Sequence, residues 1–187
     1  MFIYAGQGEK GRSLGDFYVM NIEDKERKWR KVVVDPPHAR HQHTLCGFRK
    51  SHARYNEKKK FLFGGINMPE NILFNDFWIM DFSKMIYNDE LLDLEGCTFR
   101  QVKYTGNEAN IPEKRKGHTS LCFGNSMYVF GGQTQDIYQK TTDFIYILDL
   151  DEFFWQKCDV SLSKISPRCQ MSLSWLSDSV ILVIFLK

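Results

Sequence analysis

Short apolar runs that end in small residues recur along the chain, at residues 2–7 (FIYAGQ), 61–66 (FLFGGI) and 128–133 (YVFGGQ). Each is too short for a helix and rich in aromatic and branched side chains. The pattern predicts a buried strand that breaks into a turn, with glycine permitting positive φ and close backbone approach. After a polar stretch each run is followed by a second strand-like segment: 16–22 (DFYVMNI), 76–82 (DFWIMDF) and 144–150 (FIYILDL). Tyr18, Trp78 and Tyr146 align across the three. Asp16 and Asp76 stand two residues before the aromatic and Asp143 stands three before, an offset that predicts a bulge or a looser match in the third copy.

A third element carries Trp29, Phe99 or Trp155, at 29–34 (WRKVVV), 99–102 (FRQV) and 155–158 (WQKC). A fourth opens on Arg40, Arg115 or Arg168 and continues to His43, His118 or Met171. Pro37, Pro112 and Pro167 lie just upstream, where a chain enters a strand from a loop. Four ordered landmarks written three times form an internal repeat. The order of diglycine strand, aspartate-led aromatic strand, tryptophan strand and Pro-Arg-x-x-His strand resembles the kelch repeat, over essentially the whole chain. Ala5 for the first glycine, Phe99 for tryptophan and Met171 for histidine are departures from that pattern.

The resemblance implies an all-β fold, a kelch-type β-propeller whose blades are four-stranded antiparallel sheets around a central axis. Residues 1–34 then supply three strands of a blade, 40–103 a full blade with insertions, 115–160 a full blade, and 168–187 the start of a further blade. About three and a quarter blades fall short of the roughly four to eight that close a ring. The expectation is therefore part of a longer propeller or a half-ring completed by another chain, with proteins as partners.

Residues that recur at one place in every copy are read as structural, because the blades share a fold and not a ligand. These are Gly64, Gly65, Gly131, Gly132, Arg40, Arg115, Arg168, His43, His118, Trp29 and Trp155. Recognition is expected on connectors that differ between copies. One face collects Arg12, His38, Met68, Phe74, Tyr104 and Tyr138, side-chain types that anchor protein interfaces. The other receives a basic stretch at 49–60, with Arg49, Lys50, Arg54, Lys58, Lys59 and Lys60, and an acidic stretch at 83–96. The two can neutralise each other. The alternative is a basic dock for an acidic partner or a nucleic-acid backbone.

The 187 residues are 43% hydrophobic and 14% aromatic, as in globular proteins. A net charge of +2 gives no global field to recruit nucleic acid or an anionic membrane. Five cysteines without a CxxC pair, no charged-then-apolar leader and no Asn-x-Ser/Thr acceptor lead to the expectation of a reducing, cytoplasmic setting with inert thiols. The longest apolar run, 180–186, is too short to span a bilayer. No GxSxG, P-loop, HExxH or dinucleotide fingerprint occurs. His41 and His43 could share a strand face and suit a metal, but His43 fills a repeat position that His118 also fills. Some kelch-like propellers resemble galactose oxidase and need tyrosine, histidine and cysteine ligands converging on copper, which this cysteine placement does not recommend. The reading is a non-enzymatic interaction scaffold or adaptor without cofactor or metal, using one propeller face.

Overall fold

The alternating runs fold as strands, and the computed structural model describes them over residues 1–23, 25–32, 37–48, 58–84, 86–87, 92–93, 96–135, 144–159, 168–177 and 180–185. The first sheet has the order β1 (Phe2–Gln7), β2 (Ser13–Val19) and β3 (Arg30–Lys31). The second begins with β4 (Thr44–Cys46), β5 (Lys59–Asn67) and β6 (Ile72–Asp81). A two-residue ladder of β7 (Ile86–Tyr87) and β8 (Leu92–Asp93) precedes its outer strand, β9 (Thr98–Val102). Next comes β10 (Arg115–Lys116), followed by the first two strands of the third sheet, which is four-stranded, β11 (Thr119–Phe123) and β12 (Ser126–Phe130). After β13 (Gln133–Thr134), which pairs with β10, that sheet is completed by β14 (Phe144–Asp149) and β15 (Trp155–Asp159). A hairpin of β16 (Met171–Ser177) and β17 (Val180–Phe185) ends the described chain. All these pairings are antiparallel. The fold is that of a partial kelch β-propeller. Among the described residues no helix is long and apolar enough to cross a membrane.

Alternation of side chains gives each sheet two faces, and both faces of the second sheet are apolar because a sheet stacks on each side of it. On β5, Phe61 and Phe63 join one core with Met127, Val129, Leu148 and Trp155 of the third sheet. Leu62 points the other way, into a second core with Tyr4, Phe17 and Val19 of the first sheet. Aromatic-rich layers therefore glue the first sheet to the second and the second to the third.

The central hairpins of the first two sheets kink at Ala5-Gly6 and at the diglycine Gly64-Gly65. The registers of β1 with β2 and of β5 with β6 shift between Tyr4 and Gly6 and between Phe63 and Gly65. Gly65 has φ of 100°, and a Cβ there would lie 2.8 Å from Cβ of His43 and 2.9 Å from the His41 carbonyl oxygen. Only glycine fits so close an approach. Beyond the bulge the ladder resumes, with Gly65, Ile66 and Asn67 opposite Phe74, Leu73 and Ile72. The connector expected over 66–75 is thus mostly strand, and Phe74 stands on β6. Asp143, the basis for a bulge in the third copy, lies outside the described residues.

Trp29 corrects the expectation of a packed repeat tryptophan. Counting from Tyr18 opposite Lys31 and Tyr146 opposite Lys157, it holds the register of Trp155. Yet Trp29 is 41% exposed and Trp155 2%. Ile3 is likewise 47% exposed, whereas Leu62 and Val129, at the same place in the next two sheets, are fully buried. The reason is geometric. Phe99 packs on Tyr4 at 6.1 Å and Trp155 on Phe63 at 5.3 Å, each reaching the sheet before its own. No described sheet stands before the first, so this face of β1–β3 is open.

Candidate functional site

The arginine that opens each repeat organises the loop face. Arg40 is wholly buried and donates from Nε to the His38 carbonyl at 3.0 Å and from Nη1 to the Gly64 carbonyl at 3.0 Å. Its fork also grips both carboxylate oxygens of Asp76, at 2.6 and 2.8 Å. Asp76 in turn accepts from Nε1 of Trp78 at 2.6 Å. Bidentate charged bonds of this kind are both strong and directional. Arg115 repeats the device in the third sheet, donating to the carbonyls of Glu113 and Gly131, with its guanidinium 4.6 Å from the centre of the Tyr146 ring. Burial lowers the Arg115 pKa, opposed by Tyr146 and Glu113.

Neighbouring blades are also stitched through the backbone. Gly6 donates to the carbonyl of Arg40, and Gly132 to that of Arg168, each at 2.9 Å. Arg168 makes this contact through its carbonyl, and its side chain is exposed. In its repeat Met171 stands opposite Phe185, which takes the place of Gly64 and Gly131, the glycines whose carbonyls Arg40 and Arg115 bind.

Above this frame sits a stack. Phe74 lies over the Arg40 guanidinium, 4.1 Å from ring centre to carbon, and the exposed His38 ring lies parallel to Phe74 at 6.2 Å and 7°. Cation–π contact and ring stacking hold both aromatic faces in place. A cavity of about 350 Å³ opens beside them, lined among others by His38, Phe74, Asp76, Trp78, Gln101 and Lys114. Its walls are aromatic, its acid is already neutralised by Arg40, and its rim carries an exposed lysine. Such a cavity can hold an apolar side chain of an extended peptide against Phe74 and Trp78.

Of the other sequence candidates, Arg12 is exposed on the turn between β1 and β2. Met68 exchanges backbone bonds with Ser13, its carbonyl accepting from the Ser13 N–H at 2.9 Å and its N–H donating to Ser13 Oγ at 2.8 Å. Tyr104 is no free anchor. Its hydroxyl donates to the Asn75 carbonyl at 2.6 Å and its ring packs edge-on against Trp155 at 5.7 Å, so it props the cavity wall from beneath. Burial raises its pKa well above the ordinary phenol value. Tyr138, Arg49, Lys50 and Arg54 lie outside the described residues. Lys58 is exposed in a turn, whereas Lys59 and Lys60 open β5 rather than belonging to a loop, and Lys59 pairs with Asp81 at 3.3 Å.

His41, His43 and His118 are each held by ring packing or a side-chain hydrogen bond. His118 packs edge-on against Phe63 at 5.2 Å, with Nε2 3.0 Å from Thr44 Oγ1. His43 packs the same way on Tyr4 at 5.7 Å. His41 directs Nδ1 to Ser13 Oγ at 2.8 Å, and the positive φ of Gln42 breaks the alternation that would set His41 and His43 on one face. Among the described residues no three His, Cys, Asp or Glu side chains gather as a metal site. Sequence reasoning misses Trp78, Gln101 and Lys114 as cavity residues. Trp78 reads as purely structural, and nothing in the chain pattern brings 101 and 114 to one place.

Comparison with known proteins matches residues 1–186 to the KLHDC2/KLHL20/DRC7 Kelch-repeats domain. The chain is similar to Tip elongation aberrant protein 1 of Schizosaccharomyces pombe, 28% identical over 142 residues, covering 72% of this chain and 11% of that protein. It is 28% identical over 159 residues to Host cell factor of Drosophila melanogaster, covering 76% and 9%. With an F-box/kelch-repeat protein of Arabidopsis thaliana it shares 27% over 158 residues, covering 80% and 29%. The chain spans less than a third of the length of each.

Proposed function

The chain belongs to the kelch-repeat family, and from that premise we propose that it is a protein-interaction module that takes an extended peptide segment of its partner on the loop face. The observation that carries this is the exposed His38 ring stacked on Phe74 over buried Arg40, beside a cavity of about 350 Å³. A rigid aromatic wall held from below by a charge pair costs little to order on binding, which favours recognition there. An adaptor role, linking one bound partner to another, extends the same reading.

His38→Ala combined with Lys114→Ala is expected to weaken partner binding by about tenfold or more, in the range of interface anchors. Both side chains are exposed, so thermal unfolding should stay within a degree or two of the parent. Partners recovered on the tagged chain would be retested against this variant by surface plasmon resonance. Undiminished binding sinks the assignment.

A second reading concerns the open face of β1–β3. Its support is the contrast between exposed Ile3 and Trp29 and their buried counterparts. The face is read as the seat of a further kelch blade, in the same or another polypeptide, that presents an aromatic at the position of Tyr4 and Phe63. In the isolated chain Trp155→Ala should cost about 3–5 kcal/mol and Trp29→Ala under about 1 kcal/mol. With the completing blade bound, the Trp29 cost should rise toward that of Trp155. Equal costs in the isolated monomer would mean the face is already covered.

A further inference from the structure

Two thiols face each other across the interface between the second and third sheets. Cys46 ends β4 and Cys122 lies on β11, the innermost strands of their blades, and their sulfurs are 3.2 Å apart. The chain arranges this by a one-residue offset. Thr44 opposite Phe63 and Thr119 opposite Phe130 hold the same register, so His43 and His118 are equivalent. Cys46 follows its histidine by three residues and Cys122 by four. Since successive side chains alternate, that difference turns the two thiols to opposite faces of their strands. Adjacent blades present those opposite faces to each other, and both sulfurs meet in the shared core.

The environment treats the two unequally. Cys122 is buried, while Cys46 is half-buried. Lys60 runs past Gly47 beside the pair, so close that a Cβ on Gly47 would lie 2.7 Å from its Cδ. The contact with the Cys122 sulfur, joined by Ser120 and the Lys60 charge against the cost of burial, holds the Cys46 pKa below the usual thiol range. Burial pushes Cys122 well above that range. Cys46 is thus the more nucleophilic sulfur and Cys122 a protonated neighbour already in contact.

We propose that Cys46 and Cys122 form a redox-sensitive pair that closes to an inter-blade disulfide on exposure to hydrogen peroxide. The Cys46 thiolate attacks one peroxide oxygen, the O–O bond breaks, and the departing hydroxide takes up a proton as water. The resulting sulfenic acid is attacked at sulfur by Cys122, which gives up its proton as the S–S bond forms and a second water leaves. Two thiols are oxidised by two electrons and one peroxide is reduced to two waters. A dithiol reductant restores the pair by exchange. The bond would tie together residues 76 apart in sequence and lock the second blade to the third.

The reduced 187-residue chain treated with one to five equivalents of hydrogen peroxide, alkylated and digested, should yield a peptide joining Cys46 to Cys122. Cys97, Cys158 and Cys169 should be recovered alkylated in the same digest. The melting temperature should rise by on the order of 10 °C and return on adding dithiothreitol. Cys46→Ser should abolish both the cross-link and the shift, and Cys122→Ser should leave Cys46 as the trapped sulfenic acid. Should either variant fail to fold, the cross-link and melting shift of the unsubstituted chain decide the question alone. A digest with Cys46 and Cys122 both still alkylated, singly over-oxidised, or joined to other cysteines overturns the proposal.

Discussion

Asp76→Ala is expected to lower folding stability by about 3–5 kcal/mol, the range seen when one partner of a buried ion pair is removed. The size follows from what stays behind. Arg40 is wholly buried, and only two carbonyls remain to receive its five N–H groups. Trp78 loses the acceptor of its indole N–H in the same step. Asp76→Asn keeps one acceptor without the charge and should lose roughly half as much. The effect should spread to the cavity, because Phe74 rests on the Arg40 guanidinium. Urea unfolding followed by tryptophan fluorescence measures the midpoint for each variant. A loss under about 1 kcal/mol for Asp76→Ala would mean that solvent reaches Arg40, as for exposed pairs.

The architecture is legible in the sequence because the same four landmarks recur, so errors in any one copy are corrected by the others. Arginine at the head of each repeat and histidine three residues on are read as frame for that reason, and Arg40 and His118 are both buried. What the pattern does not carry is information between copies or beyond them. Trp29 repeats Trp155 in register, but its burial depends on what stands on the far side of its sheet. Phe74 reads as a loop residue because two glycines look like a strand end, whereas a bulge lets the ladder restart. Cys46 and Cys122 read as inert when each is viewed on its own strand. The offset of three against four residues already holds the signal, and only the stacking order of the blades gives it meaning. The cavity joins residues from four separate stretches of chain, and no local periodicity encodes that meeting.

Acid should destabilise the protein well before its carboxylates titrate. Burial, followed by the cation of Arg115 and by His43, lowers the pKa of His118 to about 3. Burial, followed by Arg40 and His41 and opposed by Asp76, lowers that of His43 to about 4. His41 is lowered too, by burial and Lys116. In the unfolded chain each imidazole returns to about 6.5. Below pH 6.5 the unfolded state therefore takes up protons that the folded state refuses, and stability declines as pH falls. Above pH 6.5 both states are neutral and the histidines contribute no slope. Each fully refused proton costs about 1.4 kcal/mol per pH unit, so His43 and His118 together set a slope approaching about 2.7 kcal/mol per pH unit down to pH near 4. Urea midpoints measured from pH 7.5 to 4.5 should be level at first and then fall steeply. His118→Gln keeps a polar side chain without a titrating proton and should remove about half of the slope. Ring-proton NMR of the folded chain should show neither His43 nor His118 titrating above pH 5. A midpoint that stays flat from pH 6.5 to 5 would show that these rings accept protons in place, and with it the packed blade interfaces described for Tyr4 and Phe63 would fail.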